Sequence, residues 1–184
     1  MSKEVEGNAI FALQRVKMGK NGGLDITYSL TEVKDGVTIH HKYTVSDTRN
    51  CHSDMSALFE GLKTIAALVF RIDQIWEIGE DSQFNGSNEQ KGMLKALYVD
   101  NVEAFQVIGL TIGGKPCNEG VILQCDYTTA AGQHTKLVTP KLKFDVNAYG
   151  FEPELRNMVD AIEDEVYKYI FEDKTAEEET FNAN

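Results

Sequence analysis

The chain has few cysteines, no paired-cysteine motif and no long uncharged apolar run. Its three cysteines, Cys51, Cys117 and Cys125, cannot all pair with one another and none lies in a C-x-x-C, which argues against a disulfide framework and for reduced thiols in a cytoplasm. The opening MSKEVEGNAI lacks the apolar core of a signal peptide, and no apolar run reaches membrane-span length, so a soluble cytoplasmic chain is expected. The soft metal ligands, His40-His41, Cys51-His52, Cys117, Cys125 and His134, lack the short paired spacing of a structural zinc site. Gly113-Gly114-Lys115 lacks the remainder of a phosphate loop and reads as a hairpin tip. Cys51-His52 stands before a helix start, where a thiolate is favoured, but reads as loop. No residue pair has diagnostic catalytic spacing. The expectation is therefore a non-enzyme with no catalytic residues, no cofactor and no metal.

What is present is an acidic chain whose charge is unevenly placed. The net charge is -11 over 184 residues, yet residues 152 to 184 hold most of it, with eleven acidic residues against Arg156, Lys168 and Lys174. The remaining body is nearly neutral and is free to carry local basic patches. The length suits one domain, assigned to 1–172, with 173–184 as an acidic disordered tail.

Periodicity supplies the elements. Ala9 to Met18 reads as a strand; GKNGG at 19–23 permits a hairpin; Leu24, Ile26, Tyr28 and Leu30 alternate with polar residues. Lys34-Asp35-Gly36 turns the chain into a third strand through Val37, Ile39, His41, Tyr43 and Val45. Ser53 or Asp54 is expected to cap a helix that keeps Met55, Leu58, Leu62, Ile65, Val69 and Ile72 on one stripe and ends between Phe70 and Asp73. Ile75, Trp76 and Ile78 suggest a short strand, and Gly79 to Gly92 a polar loop. Met93 to Tyr98 is ambiguous. Strands follow at Val102 to Ile112, with Ala104, Ile108, Leu110 and Ile112 together, then Val121 to Thr129 and His134 to Thr139. Pro153 starts a second helix with Leu155, Val159, Ile162, Val166 and Tyr169 inward and Asp160, Glu163, Asp164 and Lys168 outward.

The order of strands then helix occurs twice, in half-repeats of about 9–72 and 102–172. The predicted fold class is α+β: two pseudo-repeated antiparallel β-meanders, each followed by a long amphipathic helix packed on the sheet. The outward strand faces then carry Phe11, Arg15 and Lys17; Thr27, Ser29 and Thr31; Thr38, His40, Lys42 and Thr44; Phe105 and Val107; Gln124, Asp126 and Thr128; and Lys136, Lys141 and Lys143. Such a face reads either as a plain solvated or oligomer-facing sheet, since Thr and Lys are common solvated strand residues, or as a track for a single strand of nucleic acid, with Arg15, Lys17, His40, Lys42, Lys136, Lys141 and Lys143 at phosphates and Phe11 and Phe105 under bases.

The repeated order resembles single-stranded nucleic-acid-binding proteins of the Whirly, PC4 and Pur-alpha type, whose sheets bind the strand and whose helices pack or dimerise. The segments GVILQCDYTTAAGQHTKLVTPKLKF and YGFEPELRNMVDAIEDEVYKYIFEDKTAEEE also resemble small phage and prophage proteins. The tail resembles the acidic C-termini of single-stranded DNA-binding proteins, although Asn182-Ala183-Asn184 replaces their terminal acidic-Pro-Phe. These resemblances imply a non-enzymatic single-stranded DNA-binding protein of phage replication or recombination, a homo-oligomer whose tail recruits a replication or recombination partner, with no membrane association. Two other readings are an oligomeric interaction or virion-associated protein, and a small inhibitory or nucleotide-sequestering protein with Gly79 to Gly92 as a lid.

Overall fold

The computed structural model describes residues 3–5, 9–19, 21–70, 104–114, 118–128, 132–144 and 149–176. The expectations for Ile75 to Ile78, the Gly79–Gly92 lid, Met93 to Tyr98, Cys117 and the tail beyond Ala176 lie outside these residues.

The architecture is α+β. One antiparallel sheet holds β1 (Lys3–Val5), β2 (Ala9–Met18), β3 (Leu24–Lys34), β4 (Val37–Asp47), β5 (Phe105–Gly113), β6 (Gly120–Thr128), β7 (His134–Val138) and β8 (Leu142–Lys143). Its main path runs β4-β3-β2-β5-β6-β7, with β1 beside β2 and β8 beside β6. Helices α1 (Ser53–Val69) and α2 (Glu152–Phe171) follow β4 and β8 in the chain. Both cover one face of the sheet, and they meet closely at Gly61, where an added Cβ would stand 3.1 Å from Met158 Cε. The β3–β4 hairpin turns on Asp35 and Gly36, both at positive φ (52° and 74°), the conformation a two-residue type I′ turn demands.

Two bulges decide which side chains reach the core. In β2 the register with β3 shifts between Leu13 and Arg15, and in β5 the register with β6 shifts between Val107 and Gly109. One extra residue reverses the side-chain alternation beyond it. Phe11, Leu13 and Val16 therefore share the helix side, as do Phe105, Val107 and Leu110, and all six are buried. This corrects the placement of Phe11 and Phe105 on the outward face: both are 0% exposed. Unbroken alternation would put Phe11 beside Arg15 and Lys17, and Ile108 beside Leu110; the bulges undo both groupings.

The helix termini bring a smaller correction. His52, rather than Ser53 or Asp54, is the N-cap of α1, its Nδ1 accepting from the Asp54 backbone N–H at 3.2 Å. In α2 the inward stripe holds, with Leu155, Val159, Ile162, Val166 and Tyr169 all buried. Glu163, expected in solvent, is 8% exposed. Its Oε1 accepts the Leu13 backbone N–H at 2.9 Å. Leu13 lies where β1 has stopped pairing with β2, at Phe11, and β5 has not begun, at Arg15. The carboxylate thus satisfies a donor that the gap between the β1 and β5 pairings leaves without a strand partner, and burial raises its pKa.

Residues 173–176 pack against the β4–α1 connection. Thr175 is buried and forms an antiparallel bridge with Cys51, and the Ala176 N–H donates to the Asn50 carbonyl at 3.1 Å. Arg49 holds both Asp47 and Asp173, and its hydrogen bonds keep Asp47 below the usual carboxylate range. Lys174 bridges Asp54 at 2.6 Å and Glu165 at 2.7 Å. The start of the tail is thereby clamped to the β4–α1 connection.

Candidate nucleic-acid interface

The face of the sheet turned away from the helices is set by cross-strand register. Arg15 stands opposite Thr27 and Thr27 opposite Thr44; Ser29 stands opposite Lys42, and Thr31 opposite His40. In the other half Asp126 stands opposite Lys136, Thr128 opposite His134, and Gly120 opposite Lys143. Because paired residues point the same way, Arg15, Lys17, His40, Lys42, Lys136 and Lys143 share this open face. Lys141 belongs to a separate contact: its Nζ donates to the Asn118 carbonyl at 2.5 Å, tying it to the β5–β6 turn. No aromatic residue of the described strands lies on the open face.

Charge is partitioned between the two layers. Arg49, Lys63, Arg156, Lys168 and Lys174, all in the helices or the connections that pack with them, are each in an ion pair. Among the described residues, Arg15, Lys17, Lys42, Lys136 and Lys143 make no ion pair or hydrogen bond through their charged groups. Five cations are left to solvent on one face of an acidic protein. From Lys42 on β4 to Lys136 on β7 is five inter-strand steps, roughly 24 Å at about 4.8 Å each.

The sheet is narrowest in hydrogen bonding at its centre, where β2 and β5 share only three paired positions, Arg15 with Thr111, Val16 with Leu110 and Lys17 with Gly109. Gly109 is needed there, since a Cβ would meet the Val16 carbonyl oxygen at 2.9 Å. On either side of this seam the strands part and a cleft opens. One, of about 580 Å³, is bordered by Gln14, Arg15, Ser29, Lys42 and Thr111. The other, of about 630 Å³, is bordered by Lys17, Asp25, Gln106, Asp126 and Lys136 and reaches Phe59 of α1.

Comparison with family models, curated proteins and solved structures gives no match. The reading of this face therefore rests on its own chemistry.

Two hydroxyl–imidazole contacts complete it. Thr31 Oγ1 lies 2.9 Å from His40 Nδ1, and Thr128 Oγ1 lies 3.3 Å from His134 Nδ1. Asp25 accepts from Ser46 Oγ at 2.6 Å, which leaves Asp126 as the exceptional carboxylate. One of its oxygens is buried without a hydrogen bond, 3.7 Å from His134 Nδ1. His134 escaped the sequence-based selection, although its His-x-Lys spacing to Lys136 repeats that of His40 to Lys42. The two described thiols, Cys51 and Cys125, are buried, and burial pushes Cys125 up to about 12.

Proposed function

We propose that the open face binds single-stranded nucleic acid through its phosphates, without catalysis. The observation that carries this reading is the grouping of unpaired cations among the described residues: Arg49, Lys63, Arg156, Lys168 and Lys174 of the helix layer are each in an ion pair, while Arg15, Lys17, Lys42, Lys136 and Lys143 stay unpaired on one sheet face and Lys34, at the β3–β4 turn, is the unpaired strand lysine off that face. A protein of net charge -11 is repelled by a polyanion at long range, so a basic track must act locally and at short contact distance. With Phe11 and Phe105 in the core, affinity comes from phosphate contacts and hydroxyls rather than rings of the described strands. Binding is then weakly dependent on sequence and steeply dependent on salt. The alternating hydroxyls Thr27, Ser29, Thr31 and Thr44 add neutral donors between the charges.

The fold on which this face is built is proposed to be two copies of one strand-strand-strand-helix unit. In support, the buried spacing Phe11, Leu13, Val16 recurs as Phe105, Val107, Leu110 with a bulge at the same step. The buried helix positions Met55, Phe59, Leu62 and Ala66 recur likewise as Leu155, Val159, Ile162 and Val166. A phage origin, a replication or recombination partner for the acidic tail, and a cytoplasmic location belong to the same proposal.

Fluorescence anisotropy of a labelled oligothymidylate tests the binding. Affinity should fall as salt rises, and Lys42→Ala or Lys136→Ala should each lower the log–log salt slope by about 0.7, the contribution of one phosphate on a single strand. Absence of binding at low salt, or a slope unchanged in both variants, removes the proposal.

An interaction reading has one observation in its favour. Among the described strands β4 is a long edge strand, and its Val37 and Tyr43, with Val33 on the neighbouring β3, are exposed, a surface open to further strand pairing. Light scattering would show a defined oligomer indifferent to oligonucleotide if this edge, rather than the open face, is the working surface.

A further inference from the structure

Laying Val16 on Leu110 puts Arg15 on Gly109 and Lys17 on Thr111. The observed pairs, Arg15 with Thr111 and Lys17 with Gly109, are then exchanged by one two-fold axis through the Val16–Leu110 pair. The correspondence extends outward along the registers. Leu13 pairs with Tyr28 as Val107 pairs with Cys125, and Arg15 with Thr27 as Gly109 with Gln124. One strand further, Thr27 pairs with Thr44 as Gln124 pairs with Val138.

The same operation carries Ser29 and Lys42 onto Asp126 and Lys136, and Thr31 and His40 onto Thr128 and His134. The Thr–His contact is present at both places, at 2.9 Å and 3.3 Å. The clefts correspond as well: Met18 and Gln106 to Val107 of one go to Ile112 and Ala12 to Leu13 of the other. We infer that the open face carries two equivalent phosphodiester sites, one per half, formed by Thr31, His40 and Lys42 and by Thr128, His134 and Lys136.

The two sites differ at one position that matters for an anion. Where the first has the neutral Ser29 opposite Lys42, the second has Asp126 opposite Lys136. A carboxylate facing the lysine opposes an incoming phosphate and competes for the ammonium, so the second site is the weaker. One oxygen of that carboxylate, Oδ1, gains no hydrogen bond in exchange.

This inference rests on the reading of the face as a nucleic-acid surface, and calorimetry of the full chain with a thymidine trinucleotide at low salt separates the two. The expected result is two trinucleotides per chain with unequal affinities. Lys42→Ala should remove the tighter site and Lys136→Ala the weaker. Asp126→Ser, which gives the second half the hydroxyl of the first, should tighten the weaker site roughly two- to fivefold, the scale of one exposed charge pair. Asp126→Asn, which keeps the side-chain shape, should act in the same direction if the serine variant is poorly folded. A single trinucleotide per chain, or loss of all binding in either lysine variant alone, overturns the two-site inference while leaving the nucleic-acid reading intact. Failure to bind both the trinucleotide and a longer oligothymidylate of about 12 nucleotides overturns both.

Discussion

Replacing Phe11 distinguishes a core ring from a stacking ring, and the structure sets the size of the effect. Phe11 is 0% exposed, and its ring centroid lies 5.3 Å from that of Tyr28, 5.7 Å from Tyr167 and 5.9 Å from Phe171. Truncation to alanine leaves a cavity and removes all three ring contacts, a cost of about 3 to 5 kcal/mol. That is a large part of the roughly 5 to 15 kcal/mol by which a domain is stable. Phe11→Leu keeps most of the volume and forfeits the aromatic pairs. Among the described residues Phe105 has two ring neighbours, Phe70 at 5.7 Å and Tyr127 at 6.3 Å, so Phe105→Leu should cost less than Phe11→Leu by about one aromatic pair, roughly 0.5 to 1.5 kcal/mol. Urea unfolding followed by circular dichroism measures both. The folded fraction of Phe11→Leu should bind oligothymidylate as the parent does. Unchanged stability together with weakened binding would refute the placement of this ring and the bulge that puts it there.

Glu163 makes stability depend on pH. Burial raises its pKa in the folded chain, so its contribution is fully present below the unfolded carboxylate pKa and is lost as pH rises through the folded value. Glu163→Gln, which can still accept from Leu13, should flatten that fall when unfolding midpoints are compared between pH 4 and pH 8. Glu163→Leu leaves the Leu13 N–H unsatisfied and should cost about 1 to 3 kcal/mol; a stability profile identical to the parent in both variants would contradict the contact. Asp47 acts in the opposite sense. Its pKa is lowered by hydrogen bonds from Arg49, so its contribution is present above the unfolded value and is lost as pH falls through the folded one. Deleting residues 177 to 184 removes acidic charge beyond the clamp formed by Lys174 and Thr175. It should leave the unfolding midpoint unchanged and tighten oligonucleotide binding at low salt; weaker binding would count against the tail as a competitor for the open face.

The sequence was most legible where periodicity ran unbroken. The α2 stripe from Leu155 to Tyr169, the turn at Asp35-Gly36 and the hydroxyl faces of β3 and β4 follow from spacing alone, because each lies in an uninterrupted element. Phe11 and Phe105 were misplaced for a single reason: one inserted residue, at Gln14 in β2 and at Ile108 in β5, flips the parity. Neither residue type announces a bulge. The burial of Glu163 is not legible in the sequence, because its partner is the backbone N–H of Leu13, far away in sequence and exposed by the gap between the β1 and β5 pairings. The cations of the open face needed only correct parity on their own strands, which Arg15 and Lys17 have because they lie on the same side of the bulge. Their lack of ion-pair partners required the fold, since pairs such as Arg49 with Asp173 and Lys174 with Asp54 join residues far apart in sequence, whereas Lys63, Arg156 and Lys168 find a carboxylate three or four residues away on their own helix.

The most direct test of the central claim is to map which face of the sheet responds to a single strand, by following backbone amide shifts of the isotope-labelled chain as oligothymidylate is added at low salt. The account predicts the largest changes at Thr27, Ser29, Lys42, Gln124 and Lys136, with α1 and α2 unmoved. Changes concentrated on the helices or along the free edge of β4, with the open face silent, would contradict it.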